Sequence, residues 1–135
     1  MSRELKFKAW DIIKGIMFRS EAVAYQFYYL NNNPNVIMLQ YTGVCDRKGI
    51  EIYEDDVVRI TTVGAFARVV WDKERCSFIL EPLDKKWLKY SSCYLLGKHH
   101  NVCEVLGNLN ENPELFKLEE DTYEGWDSAD SNDSK

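Results

Sequence analysis

The sequence predicts a mainly β fold: a small SH3-like barrel or sandwich of short antiparallel strands with a short C-terminal helix. Three observations carry this. Short runs rich in Val, Ile and aromatic residues recur at roughly ten-residue spacing. Polar clusters of turn-forming residues separate them. The most sharply written turn, Asp46-Arg47-Lys48-Gly49, has Val36-Ile37-Met38-Leu39 on one side and Ile50, Ile52, Val57 and Val58 on the other, which is hairpin chemistry. At 135 residues, 45 % apolar and 29 % charged, the chain can bury one core without disulfides or metal.

Residues 4 to 11 alternate, with Leu5, Phe7 and Ala9 on one face of a half-buried strand. Lys14-Gly15 breaks the next apolar run and predicts a short hairpin. Residues 22 to 30 are dense in aromatics and lack Gly and Pro, which favours a strand over a helix, although periodicity does not separate the two in so apolar a run. The loop Asn31-Asn32-Asn33-Pro34-Asn35 is then expected between two strands.

In the central stretch, Gly49 suits a positive φ where the returning strand begins, and Glu54-Asp55-Asp56 reads as a second bend, because three adjacent carboxylates repel one another on a strand. A meander follows: Val57-Val58-Arg59-Ile60, then Ala67 to Trp71 and Ser77 to Leu80 around the polar turn 72 to 75. Closing such a sheet removes its unpaired edges. Residues 81 to 101 fit either a short helix or further strands. Residues 102 to 107 are strand-like again, and Asn112-Pro113-Glu114-Leu115-Phe116 opens a short helix, with Asn as cap and Pro at the first position.

The division is therefore a β-rich domain over 1–118 and an acidic tail over 119–135 that is too polar to pack. The tail holds seven carboxylates against Lys135. Removing its net −6 from the total of −5 leaves +1 for the rest, so the body carries no general footprint for a phosphate backbone. There is no run of 18 apolar residues and no apolar leader after Met1, so a cytoplasmic protein with no membrane partner is expected.

The central stretch also carries a family resemblance. Gln40-Tyr41-Thr42-Gly43, Asp46, Lys48-Gly49, Glu51-Ile52-Tyr53-Glu54 and Asp56-Val57-Val58 resemble the central motif of the YopX family of bacteriophage and prophage proteins. Lys6 to Asp11 is similar to that family's opening strand, and Glu104 to Leu115, with Gly107, Asn108, Asn112 and Pro113, to its closing motif. Asp55 stands where the family usually has Gly, so the bend there requires Asp in the left-handed region. The resemblance implies a small β-rich fold, residence in mobile phage DNA and no established biochemical activity.

Chemistry is sparse. Cys45, Cys76, Cys93 and Cys103 form no C-x-x-C pair and are expected as reduced thiols. Cys93, His99, His100 and Cys103 are the one zinc-like group, against the plainer reading of two buried cysteines flanking an exposed loop. Glu54, Asp55 and Asp56 beside Asp46 lack the spacing of a calcium loop and read as a solvated acidic bend. No catalytic constellation assembles, and no cofactor or metal is assigned. The candidate contact residues are aromatic: Tyr25, Tyr28 and Tyr29 in the body, for core or interface packing, and Tyr123 and Trp126 in the tail, as an acidic linear motif. Together these point to a non-enzymatic accessory protein that binds a host or phage protein, with self-association plausible. A nucleic-acid-binding barrel is the alternative, and a metal-dependent enzyme the third.

Overall fold

A computed structural model describes residues 4–83 and 95–115. The order is β1 (Phe7–Asp11), β2 (Ile16–Phe18), α1 (Ser20–Asn31), β3 (Val36–Cys45), β4 (Glu51–Tyr53), β5 (Asp56–Ile60), β6 (Ala65–Asp72), β7 (Ser77–Pro82), α2 (Leu96–His99) and β8 (Cys103–Asn108), with 3-10 turns at His100–Val102 and Pro113–Leu115. The mainly β class is as predicted. Two antiparallel four-stranded sheets form, in the orders β2-β1-β3-β4 and β7-β6-β5-β8, and one of them curls into a half-barrel.

The predicted hairpins are present. Gly15 and Gly49 have φ of +64° and +85° at the β1–β2 and β3–β4 turns, where a side chain would be strained. Asp55, at +65°, takes the left-handed conformation the missing glycine demands. Its N–H donates to the Val69 carbonyl (2.9 Å), its carbonyl accepts from Leu109 N–H (3.2 Å), and Arg68 Nε donates to its Oδ1 (3.3 Å). These three contacts hold an otherwise unfavourable backbone. Strand β3 is long because it serves two partners, pairing with β1 from Val36 to Gln40 and with β4 from Tyr41 to Cys45 across a shift in register.

Residues 22 to 30 are helical, which corrects the expected strand. Val23, Phe27 and Leu30 recur at helical spacing. Val23 and Leu30 are buried, and the Phe27 ring lies 5.2 Å from that of Phe7. A strand would have turned alternate aromatics into the sheet. The helix instead docks through three positions and leaves its tyrosines outside, so tertiary packing overrides aromatic β-propensity. The chain is kinked at Gln26 (φ −124°, ψ 19°). Accordingly the asparagine-rich loop joins a helix to a strand, not two strands. One smaller correction follows: Leu5 is exposed ahead of β1. Residues 96 to 102 form helical turns, the helical of the two alternatives for that stretch, in place of an exposed loop beside Cys103.

The larger core lies within the second sheet and is closed by β4 and α2: Ile52, Val58, Ile60, Ala67, Val69, Leu80 and Leu96 are fully or almost fully buried. Beneath α1 lies a smaller one of Ala9, Val23 and Leu30, flanked by Phe7, Phe18, Val36 and Met38.

Candidate functional site

The residues of the central and closing motifs turn inward, onto backbone. Asp46 is buried at the β3–β4 turn, where its Oδ1 accepts the N–H groups of Lys48 (2.8 Å) and Ile50 (2.9 Å). Its Oδ2 reaches the other sheet and accepts Val105 N–H (2.9 Å) on β8. Burial would raise its pKa, but the N–H groups of Val105, Ile50 and Lys48 prevail and hold the carboxyl below its ordinary value. Arg47 N–H donates to the Cys103 carbonyl (2.9 Å) beside it, so the hairpin tip covers the outer edge of β8.

The acidic bend is occupied in the same way. Glu54 and Gln40 exchange two bonds, Glu54 N–H to the Gln40 carbonyl (3.0 Å) and Gln40 N–H to Glu54 Oε1 (2.9 Å). Burial raises the Glu54 pKa. Asp56 Oδ2 accepts Tyr53 N–H (2.8 Å), and burial pushes this carboxyl up to about 7. Thr42 Oγ1 donates to the Ile52 carbonyl (2.7 Å), and the rings of Tyr41 and Tyr53 lie 5.5 Å apart. In the closing motif Asn108 Oδ1 accepts the N–H groups of Asn110 (3.1 Å) and Glu111 (2.8 Å). A Cβ on Gly107 would stand 2.5 Å from Asn112 Oδ1. The Asn112 side chain accepts Asn108 N–H (3.2 Å), so it secures the turn behind it, while Asn112's carbonyl takes Leu115 N–H (2.9 Å) ahead of Pro113.

Of the zinc-like group, Cys93 lies outside the described residues. The other three are spent on carbonyls: His99 Nδ1 on Leu95 (3.0 Å), His100 Nδ1 on Cys45 (2.7 Å) and Cys103 Sγ on His99 (3.3 Å). Burial, then the Asp46 charge, pushes the Cys103 thiol up to about 11, away from the thiolate a metal needs. Among the described residues no three His, Cys, Asp or Glu side chains converge on a metal-sized site.

The aromatic candidates stand outward. Tyr25, Tyr28 and Tyr29 are 93, 82 and 66 % exposed on α1. Among the described residues none of their rings forms an aromatic pair. Tyr123 and Trp126 lie outside the described residues. Two concavities went unread in the sequence because each draws on distant segments. One is a cleft of about 620 Å³ lined by Gln40, Thr42, Glu54, Trp71, Ser77 and Lys98, with Trp71 edge-on to Phe78 at 5.0 Å. The other, about 340 Å³, is lined by Lys6, Lys8, Arg19, Glu21, Glu51 and Tyr53. In it Lys8 sits 4.4 Å over the Tyr53 ring, and Lys6 is paired to both Glu51 and Glu4. The hydrogen bond to Glu51 raises the Lys6 pKa. The alternation of Lys6 and Lys8 along β1 was the only signal for this groove in the sequence.

Fold and site together define a small two-sheet β domain whose distinctive polar residues bond to backbone, with an aromatic helix laid on the outside. The profile of the YopX protein family matches residues 24–117, and the chain belongs to that family. Among solved structures it is similar to protein EF1440 from Enterococcus faecalis, with a TM-score of 0.57 and 20 % sequence identity over 85 % of this chain and 99 % of that one. That likeness is one of fold. No curated protein matches the chain.

Proposed function

We propose that this chain is a non-enzymatic accessory protein of phage or prophage origin, acting in the cytoplasm, that docks a protein of host or phage origin against the outer side of α1. The observation that carries this is the exposure of Tyr25, Tyr28 and Tyr29 on one short helix, since tyrosine supplies large contact area at small entropic cost and is enriched at interfaces. The engagement of Asp46, Glu54 and Asp56 by backbone N–H groups supports a non-catalytic role for the acidic motif. Among the described residues no helix is long and apolar enough to cross a membrane. The acidic tail serves as a second contact for a basic partner surface, with Tyr123 and Trp126 as its anchors.

The groove of Lys6, Lys8 and Arg19 favours the nucleic-acid reading as the alternative, although Glu21 and Glu51 share it. Capture of tagged protein from host lysate, in nuclease-treated and untreated halves, separates the two. Docking through α1 predicts a specific protein retained in both halves and lost with the Tyr25→Ala/Tyr28→Ala double variant. Equal retention by that variant overturns the α1 reading. Material lost with nuclease, and lost again with Lys8→Glu, puts nucleic acid first.

A further inference from the structure

The cleft of about 620 Å³ is separate from the docking surface on α1, no residue of which lines it. Its place follows from the length of β3. Val36 and Met38 pack against the small core under α1, and Val44 packs against the larger core. Gln40 and Thr42, between them, line the cleft. The opposite wall is Trp71 of β6, the start of β7 and the segment from Leu95 to Lys98. A cleft of this volume falls within the roughly 300–1,000 Å³ of small-ligand sites.

Its walls carry an aromatic ring, two hydrogen-bonding groups and a cation. Trp71 is 48 % exposed and stands edge-on to Phe78 at 5.0 Å, so a ring left half bare is fixed in place. Glu54 is half-buried, and among the described residues only Oε1 of its carboxyl is hydrogen-bonded, by Gln40 N–H (2.9 Å). Ser77 Oγ is buried with no hydrogen-bond partner among the described residues. Lys98 is exposed and enters none of the ion pairs among those residues.

These groups select a ligand by charge and shape. An aliphatic molecule would bury Glu54 and Ser77 without partners. A bare anion would meet the Glu54 carboxylate, and a simple cation the Lys98 ammonium. A free amino acid carries both charges but is small for the volume. What suits the walls is a flat body for Trp71, N–H donors at one edge for Glu54, and a negative group for Lys98. A nucleotide has all three, and guanine presents two adjacent donors, N1–H and N2–H, to a single carboxylate, which has lone pairs for them beside the Gln40 bond. We propose that the cleft binds one nucleotide, guanine for preference, with the base stacked on Trp71, its Watson–Crick edge on Glu54 and its phosphate at Lys98. A free mononucleotide and the unpaired end of a strand offer the same groups.

Titration of the full chain, followed by amide and indole shifts in NMR spectra, tests this. Guanosine monophosphate is expected to move the signals of Trp71 and Gly97. Inosine monophosphate, which lacks the N2 amine, binds about tenfold more weakly. Trp71→Ala weakens both about tenfold. Glu54→Gln keeps an oxygen for Gln40 N–H and abolishes the preference for guanine over inosine. Lys98→Ala weakens guanosine monophosphate but leaves guanosine unchanged, a split that a merely structural role would not produce. The spectra themselves show that each variant is folded. A guanine-containing trinucleotide that binds where the mononucleotide does not, with the same response to Trp71→Ala and Glu54→Gln, upholds the site and assigns it to a strand. Spectra that neither ligand moves overturn the proposal, as does binding indifferent to both Trp71→Ala and Glu54→Gln. Binding of N-acetylarginine amide in place of the nucleotides overturns it too, and makes the cleft a cation site.

Discussion

Asp56 opens β5 with a carboxyl that water barely reaches: the residue is 5 % exposed, and among the described residues its carboxyl takes one hydrogen bond, from Tyr53 N–H. Burial is the main cause of its high pKa. Lys8 pulls the other way, and the nearby charges of Asp55 and Glu111 add to the rise. The folded state thus holds this proton up to about pH 7, whereas the unfolded chain releases it near the ordinary value of 3.8. Below pH 4 both states are protonated and the group costs nothing. Between pH 4 and pH 7 stability falls as the unfolded state alone ionises, and above pH 7 the loss is constant at up to about 4 kcal/mol. Asp56→Asn keeps an oxygen for Tyr53 N–H and removes the charge. Urea unfolding should show this variant gaining on the wild type as pH rises from 5 to 8, with the two converging in acid. A constant difference across that range would mean that Asp56 is ionised in the fold like any surface carboxylate.

At the scale of elements, the closing turn makes a sharper test than any hairpin. Gly107 sits on β8 with Asn112 and Leu115 folded back against it, and an added Cβ would meet the Asn112 side chain at 2.5 Å and Leu115 Cδ1 at 3.2 Å. Gly49, by contrast, has open space around its Cβ position and only its φ of +85° to defend. Gly49→Ala should cost about 1 kcal/mol from backbone strain alone. Gly107→Ala should cost about 2 kcal/mol and speed amide exchange at Asn110, Glu111 and Leu115, which exchange measured by NMR would reveal. If the two variants are equally mild, the closing turn moves aside freely and does not brace β8. The turns were legible because Gly15, Gly49 and the Asp-rich bends write their backbone conformation into residue type. Helix α1 was not, because its aromatics score as strand formers, and only the docking of Val23, Phe27 and Leu30 on the first sheet decides the matter. The tyrosines were legible as candidates, but which side they would face depended on that same docking. The isoleucines of the β1–β2 turn gave no warning of their exposure, since apolar residues around Gly15 look the same whether the hairpin is buried or bare.

For the molecule as a whole, the question is what keeps two sheets acting as one. The chain crosses between them at Glu54-Asp55, and Ile52 of β4 packs into the core of the second sheet. Asp46 adds a polar tie beside the Arg47 N–H to Cys103 carbonyl bond, holding Lys48 and Ile50 on the first sheet's hairpin and Val105 on the second sheet with one buried carboxylate. Its lowered pKa gives the opposite sign to Asp56: the stability it contributes is present above about pH 4 and is lost as the pH falls through the depressed folded value. Asp46→Ala leaves three backbone donors without that partner and should cost about 3 kcal/mol. More informative than the size is its distribution. In the wild type, the slowest amides of β3 and of β5–β6 should exchange through one common opening, with the same free energy. In Asp46→Ala they should separate, with β1–β3 opening first because the core under α1 is the smaller of the two. One shared value in the variant would show that the remaining contacts, the crossing at Asp55 held by Val69, Leu109 and Arg68 and the Arg47 to Cys103 backbone bond, couple the sheets without the Asp46 carboxylate.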